Sequence, residues 1–315
     1  MNEQFKNDVL DGLSANPKFL SSKYFYDKIG DDLFVQIMNL PEYYLTNAEM
    51  DIFSNKTDEL IAALNCTNDR PFDIVELGAG DGSKTIKLLE RLVDRKINFS
   101  YQPVDISQNA LDGLESRLKT ELPNLEVETQ QGEYFEVLSS LKNTNRRKVV
   151  LFLGSNIGNM LDPIAKKFID ELSSNLNGGD HLLIGIDLIK AVDIVLPAYN
   201  DSKGITAAFN LNVLRRINSE LGGDFDLEKF AHSPYYTEEE GIAKSYLKST
   251  CNQEVFIAAL DKTFHFEEGE TIHTEISRKY NDKIMQSLIQ DSGLQMCNKI
   301  MDNKEYFADY ILCKS

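Results

Sequence analysis

The sequence predicts an α/β fold: an open, mostly parallel sheet with helices on both faces, accompanied by a second, smaller α+β lobe. Three observations carry this expectation. From residue 72, short β-branched runs alternate with amphipathic helical stretches, the βαβα signature of a parallel sheet. A glycine-rich bend, Gly78, Gly80 and Gly82, directly follows the first apolar run and opens a helical segment. The segments before and after the alternation obey a different pattern, and 315 residues suffice for two lobes.

The elements follow in order. "FDIVEL" reads as a strand and "SKTIKLLERLVD" as a helix with apolar residues on one face. "FSYQPVDI" is the next strand, then "NALDGLESRLKTEL", whose leucines recur at helical spacing. "LEVETQ" and "KVVLFLG" are strands, "PIAKKFIDELSSNL" a helix and "DHLLIGIDL" a strand. Outside this stretch, "SSKYFYDKIGDDLFVQIMNLPEYYLT" is crowded with aromatics and interrupted by Pro41. "LPAYNDSKGITAAFNLNVLRRINSEL" is mainly helical, and "QEVFIAAL", "KTFHF" and "TIHTEIS" around an "EEGE" turn look antiparallel. "YFADYILCKS" is expected to return to the first sheet as an antiparallel edge strand. A second lobe built from the amino terminus and the late insertion is the simplest arrangement, with the active cleft between the lobes.

Ligands of open α/β sheets collect at the carboxyl ends of the strands, so the bend is the first place to look. A phosphate-cradling P-loop needs a glycine where Ser83 stands, although Lys84 and Thr85 fit. The dinucleotide fingerprint wants its third glycine at the same position, whereas here the spacing is Gly-x-Gly-x-Gly. With Glu76 two residues before the first glycine, the stretch "VELGAGDGSKT" instead resembles the first motif of class I methyltransferases. That resemblance implies S-adenosyl-L-methionine, whose amino-acid tail needs close backbone approach rather than an anion nest.

Other strand ends supply further candidates. Asp105 ends the second strand, where a carboxylate can accept from ribose hydroxyls or cap the following helix. Glu133 and Tyr134 follow the next strand, where they either flank an adenine ring or form a solvated first turn. Asn159, beyond "LFLGSNIG", carries an amide able to hold an amine or carboxylate, or is a turn asparagine. Tyr43 in "LPEYYLT" and Tyr199 in "LPAYND" read singly as packing residues with a satisfied hydroxyl. Glu275 and Ser277, two apart in "HTEISRKY", share one face of a strand.

Composition narrows the partners. Hydrophobic residues at 42% and charged residues at 26% are those of a globular protein. Thirty-three basic against fifty acidic side chains give a formal charge of −17, which opposes a nucleic-acid backbone. The amino-terminal residues hold no apolar signal segment, and no run is long enough to span a membrane, so a cytoplasmic protein is expected. Cys66, Cys251, Cys297 and Cys313 are widely spaced and the histidines show no ligand pattern, so free thiols and no metal are expected. With no heptads or long apolar stripe, a monomer is expected.

Taken in order, "YFYDKIGDDLF", "LPEYYLTNAE", "VELGAGDGSKT", "PVDIS", "FLGSNIGN", "GITAAFNLNVLRRINSELGGDFDL" and "HTEISRKY" resemble the histidine-specific Nα-methyltransferases of ergothioneine biosynthesis. The resemblance runs from about residue 20 to the end. It implies a Rossmann-like class I methyltransferase sheet over 53–188 and 280–315, with a second α+β substrate-binding domain over 1–52 and 189–279. It implies methyl transfer from S-adenosyl-L-methionine to the α-amino nitrogen of L-histidine, up to the trimethylated betaine. By motif position Gly78, Lys84, Asp105, Glu133 and Tyr134 bind the cofactor. Tyr43, Asn159 and Tyr199 hold the amino-acid head group and serve catalysis by positioning it. Glu275 and Ser277 hydrogen-bond the imidazole, with Tyr26 nearby. Glu133-Tyr134 stands where the family often has Asp-Phe, and Ser245 where it has a substrate-pocket methionine, making that pocket less apolar. The alternatives are an Nα-methyltransferase of another aromatic amino acid and a non-catalytic adenosyl-ligand-binding protein.

Overall fold

The structure, a computed structural model, describes residues 3–142, 144 and 146–315; residues 1 and 2 of the expected 1–52 segment lie outside the described residues. Along the chain, α1 (Glu3–Ser14), β1 (Lys18–Phe19) and α2 (Lys28–Met38) come first, followed by α3 (Tyr44–Asn55) and α4 (Thr57–Ala63). The expected alternation then runs β2 (Phe72–Leu77), α5 (Thr85–Asp94), β3 (Phe99–Asp105), α6 (Gln108–Glu121), β4 (Glu126–Val127) and β5 (Gln130–Gln131). It continues through β6 (Arg147–Phe152), α8 (Asp162–Ser174) and β7 (His181–Asp187), with a helix the sequence reading did not place, α7 (Tyr134–Leu141), before β6. Next come α9 (Val192–Val195), α10 (Ile205–Leu221), β8 (Phe230–Tyr235), β9 (Ile242–Ser249), β10 (Gln253–Ile257), β11 (Lys262–Phe266) and β12 (Thr271–Arg278). The chain closes with α11 (Asp282–Ile289), β13 (Leu294–Met301) and β14 (Phe307–Lys314).

Two compact units result: Met1–Tyr44 with Lys190–Arg278, and Leu45–Ile189 with Lys279–Ser315. The second unit holds an eight-stranded sheet in the order β13-β14-β7-β6-β2-β3-β4, with β5 also on β3. The strands from β2 to β7 pair in parallel, while β14 runs antiparallel to β7 and β13 antiparallel to β14. All six residues of β2 are buried, as a central strand covered on both faces requires. Ala48, Ile52 and Phe53 of α3 join the core on one face, so the segment from Leu45 belongs with the sheet.

The first unit contains a four-stranded sheet, β1-β12-β9-β8, and the separate antiparallel pair β10-β11. The amphipathic α10 supplies Phe209, Val213, Leu214 and Ile217 to a core shared with Phe5 and Phe25. Its start is fixed by Asp201, whose carboxylate accepts from Lys203 N (3.0 Å), Ile205 N (3.0 Å) and Thr206 N (2.7 Å). Its end is fixed by Gly222 in the left-handed region (φ 66°), where Gly222 N donates to Ile217 O.

Three expectations are corrected, and the antiparallel reading of the late strands holds with pairings that the sequence does not specify. The carboxyl-terminal strand is antiparallel but not at the edge: β14 lies between β7 and β13, and its near-continuous apolar run is buried on both faces. "LEVETQ" forms two short strands, since it lies at the other end of the sheet and needs only the partner β3. "KTFHF" pairs with "QEVFI", whereas "TIHTEIS" pairs with β9; the β10-β11 hairpin is an excursion between two strands of one ladder. Finally, Cys297 and Cys313 are joined in a disulfide with Cα atoms 6.0 Å apart, leaving Cys66 and Cys251 as free thiols. Sequence spacing hides this pair because the β13-β14 hairpin and its bulge between Met296 and Asn298 bring the two together.

One charge lies inside the sheet. Glu76 on β2 is 3% exposed, accepts from Thr85 Oγ1 at 2.7 Å and from the Tyr101 hydroxyl, and is pushed by burial up to about 7 against those bonds and the Lys84 charge. An unfolded Glu titrates at its ordinary 4.5, so between about 4.5 and about 7 the folded state binds more protons and this group's stability contribution falls as pH rises. Glu76→Gln is expected to remove that slope in urea unfolding at stepped pH; a variant curve parallel to wild type contradicts it. Asp201→Ala, by leaving the first two amides of α10 and that of Lys203 without their acceptor, is expected to cost about 0.5–2 kcal/mol in the same assay.

Candidate active site

The bend after β2 is built from backbone that side chains resist. Gly78, Gly80 and Gly82 all have positive φ (71°, 54° and 62°). A methyl group on Gly78 would lie 2.7 Å from the Tyr134 hydroxyl, and one on Gly80 would meet nothing within 4 Å. The bend therefore packs on one side and stays open at its tip. Gly78 N and Ala79 N donate to Val104 O at 2.8 and 3.3 Å, fastening it to the end of β3.

Asp105 stands at that strand end. Its Oδ2 accepts from Gly80 N at 3.3 Å and its Oδ1 from Ser107 N at 2.9 Å. The cap of α6 is Ser107, which accepts from Ala110 N at 3.3 Å, so Asp105 is not itself the cap but joins the bend to the amide of the cap residue. Tyr134 opens α7 and is half-buried, and burial raises its pKa, with the charges of Asp105 and Glu133 adding to the shift. Gly78, Asp105, Glu133 and Tyr134 thus gather at one end of the sheet, as the sequence reading expects of neighbouring strand ends.

Lys84, just past the bend, faces a different group. Its ammonium pairs with Glu49 of α3, and a methyl group on Gly154 would lie 3.8 Å from its Nζ. Burial opposes the Lys84 charge, but Glu49, Glu76 and Asp309 together raise its pKa above the ordinary value. Both Glu49 oxygens accept from Gly154 N at 3.0 Å, and Gly154 (φ 77°) starts the turn that leads to Asn159. Ser155, itself left-handed at φ 58°, donates to Gly185 O (3.1 Å) and accepts from Asp187 N (3.0 Å). Asn159 ends a short 3₁₀ turn over Asn156–Asn159 and is exposed.

The remaining candidates lie in the first unit. Glu275 sits on β12 directly opposite Ser245 of β9, and Ser245 Oγ donates to Glu275 Oε2 at 3.1 Å. Ser277 is opposite Ala243 in the same register, so Glu275 and Ser277 do share a face. A bulge just before Glu275 sets this register; Thr274 is pinned there by hydrogen bonds to Asn210 Oδ1 (2.8 Å) and Ser245 O (3.0 Å). Tyr26 is 45% exposed yet ringed by protein: burial raises its pKa, and the charges of Glu275 and Asp31 add to the shift. Its ring meets Phe34 and Phe209 edge-on at 5.7 and 5.4 Å, and Phe34 meets Tyr43 at 6.3 Å. Tyr199 is buried at the end of a 3₁₀ turn, its carbonyl 2.8 Å from His232 Nε2. Ser202 Oγ donates to Glu42 Oε1 at 3.0 Å, tying the segment beside Tyr199 to the one beside Tyr43.

Three residues escaped the sequence reading. Phe34 and Phe209 wall in Tyr26, and their helical apolar spacing marks them only as core. Glu49 carries a signal of its own: it occupies the buried face of α3 among Leu45, Ala48, Ile52 and Phe53, where a carboxylate is out of place without a partner.

Known proteins share this chain's sequence over almost its whole length. Residues 5–314 match the family described as "Histidine-specific methyltransferase, SAM-dependent". The chain is 38% identical over 293 residues to histidine N-alpha-methyltransferase of Mycolicibacterium smegmatis, covering 93% of this chain and 89% of that one. It is 36% identical over 289 residues to histidine N-alpha-methyltransferase of Mycobacterium tuberculosis, covering 92% and 88%. It is 30% identical over 302 residues to ergothioneine biosynthesis protein 1 of Schizosaccharomyces pombe, covering 94% of this chain and 39% of that one. With a glycine bend open at its tip, a carboxylate at the next strand end and these relatives, the chain belongs to the family of histidine-specific, S-adenosylmethionine-dependent methyltransferases.

Proposed function

We propose that this protein transfers methyl groups from S-adenosyl-L-methionine to the α-amino nitrogen of L-histidine, up to the trimethylated betaine hercynine, for ergothioneine biosynthesis. The observation that carries the reading is the match of residues 5–314 to a family defined by histidine as its substrate. As part of the same reading the enzyme is a cytoplasmic monomer acting on a small molecule, and its charge of −17 sets it against nucleic acid.

The cofactor site falls to Gly78, Lys84, Asp105, Glu133 and Tyr134, and their arrangement fits. The bend leaves space at Gly80, Asp105 keeps carboxylate lone pairs at the strand end for ribose hydroxyls, and the Lys84 cation suits a carboxylate tail. When bound, the cofactor supplies an electrophilic methyl carbon on a sulfonium. The residues around the substrate then have two tasks: to release a proton from the amine, and to hold its lone pair in line. Tyr43, Asn159 and Tyr199 take the head group, and aromatic faces tolerate the ammonium that grows with each methylation. Reaction stops at three methyl groups because no lone pair remains.

Selectivity falls to Glu275 and Ser277, with Tyr26 alongside. Glu275 accepts from an imidazole N–H, and the hydroxyl of Ser245 at 3.1 Å keeps its carboxylate in one orientation. Ser245 therefore acts on the substrate's ring through Glu275, which is what a serine adds in place of an apolar side chain.

Mass spectrometry of a reaction with S-adenosyl-L-methionine and L-histidine is expected to show successive gains of one, two and three methyl groups on the amino acid; no methylated histidine contradicts the function. Glu275→Ala, which loses a charge-assisted contact of about 1.5–3 kcal/mol, is expected to lower kcat/KM for histidine more than tenfold and to erode its preference over other amino acids. Undiminished preference in that variant removes Glu275 from imidazole recognition.

A further inference from the structure

Around Lys84 the carboxyl end of the sheet buries two acids, Glu49 and Asp309, whereas the neighbouring buried Asp187 has its own partner in Lys279 at 2.7 Å. Glu49 of α3 is fully buried, paired with Lys84 and bound to Gly154 N. Asp309 of β14 is also fully buried, and among the described residues no donor reaches either of its oxygens. Asp309 stands directly opposite Gly185 in the β14–β7 register, and a methyl group on Gly185 would overlap Glu49 Oε1 and lie 3.1 Å from Asp309 Oδ1. Both carboxyl groups therefore crowd one point of β7, and only glycine leaves room for them. Glu76 of β2 is close enough for its charge to act on Lys84.

Two carboxylates at one dry point cannot both ionise beside a single ammonium. Glu49 holds the ion pair and two contacts to a backbone amide, whereas Asp309 has no donor among the described residues to stabilise a charge. We propose that Glu49 and Asp309 share one negative charge, with the proton resting on Asp309, and together form the counter-ion that keeps Lys84 cationic and in place at the cofactor. They are positioning residues: neither need touch the cofactor, and both act through Lys84. Burial and the Glu49 charge both hold Asp309 well above the usual carboxylate range, with Lys84 opposing, in keeping with that placement. The inference rests on the assignment of Lys84 to the cofactor.

The arrangement contains its own substitute. When Glu49 is made neutral, Asp309 releases its proton to solvent and becomes the partner of Lys84. When both are neutral, Glu76 is the acid of this group left to oppose burial, the largest influence on Lys84, so the ammonium charge and its grip on an anionic tail are weakened.

The test combines infrared spectroscopy with calorimetry on wild type, Asp309→Asn, Glu49→Gln and the double variant. The wild type minus Asp309→Asn difference spectrum is expected to contain a carboxylic-acid carbonyl band. The Glu49→Gln minus double-variant spectrum is expected to contain carboxylate bands instead. Affinity for S-adenosylhomocysteine is expected to change less than about threefold in either single variant and to fall more than about tenfold in the double variant, with KM for histidine within about twofold. If the double variant does not fold, carbon-13 labelling of aspartate carboxyls reads the state of Asp309 in wild type and Glu49→Gln directly. A missing acid band in wild type, an acid band that persists in Glu49→Gln, or a double-variant loss equal to the product of the single losses overturns the shared charge. Spectra as expected with undiminished affinity in the double variant overturn the assignment of Lys84, and the positioning role with it.

Discussion

A carboxylate with no access to water has to be met by donors, and Glu49 is met by two: the Lys84 ammonium and the Gly154 amide. Each belongs to a different part of the candidate site, one to the segment leaving the glycine bend, the other to the turn that carries Asn159. Removing two charges from water costs several kcal/mol, and the cost is recovered only where geometry is fixed and every lone pair is occupied. That requirement links α3 to the ends of β2 and β6 and dictates glycine at position 185, where any side chain would displace the carboxylate.

The bend itself follows from the same economy of space. Three glycines in the left-handed region let the chain turn between β2 and α5 with no side chain at those three positions, and two amides tied to Val104 O hold it against the end of β3. Asp105 then bonds the tip of the bend and Tyr134 covers its flank. In the first unit rigidity comes from a different device. Thr274 pins a bulge to Asn210 of α10, and the bulge sets Glu275 opposite Ser245 and on one face with Ser277. Both devices place polar groups on regular elements rather than on free loops, which suits a reaction that depends on alignment.

How much was readable beforehand follows from which forces act locally. Between Phe72 and Asp187 the central strands and most helices were legible, because strands covered on both faces must be apolar throughout and amphipathic helices must repeat near 3.6 residues; the split of "LEVETQ" and the helix at Tyr134–Leu141 were not. The bend was legible because counting between glycines distinguishes ligand types. The partner of β12 was not, since β10 and β11 stand between it and β9 in sequence, and only the ladder shows that they pair with each other. The disulfide was hidden for a similar reason: a bulge in β13 decides which residues face β14. Glu49 and Asp309 were passed over because pattern reading assigns acids to surfaces, and what matters for both is the environment that three other segments build around them. Asp105, which the sequence left between ribose acceptor and helix cap, was separated from the cap by the position of Ser107 alone.

The central claim is that this protein, with its cofactor site filled, recognises histidine by both its amino-acid head and its ring. Isothermal titration of L-histidine into the protein saturated with S-adenosylhomocysteine tests it most directly. The account predicts a saturable one-to-one heat for histidine that is at least tenfold tighter than for tryptophan or phenylalanine, on the order of what one satisfied charge-assisted contact confers. No heat for histidine, or equal binding of the three amino acids, would contradict it.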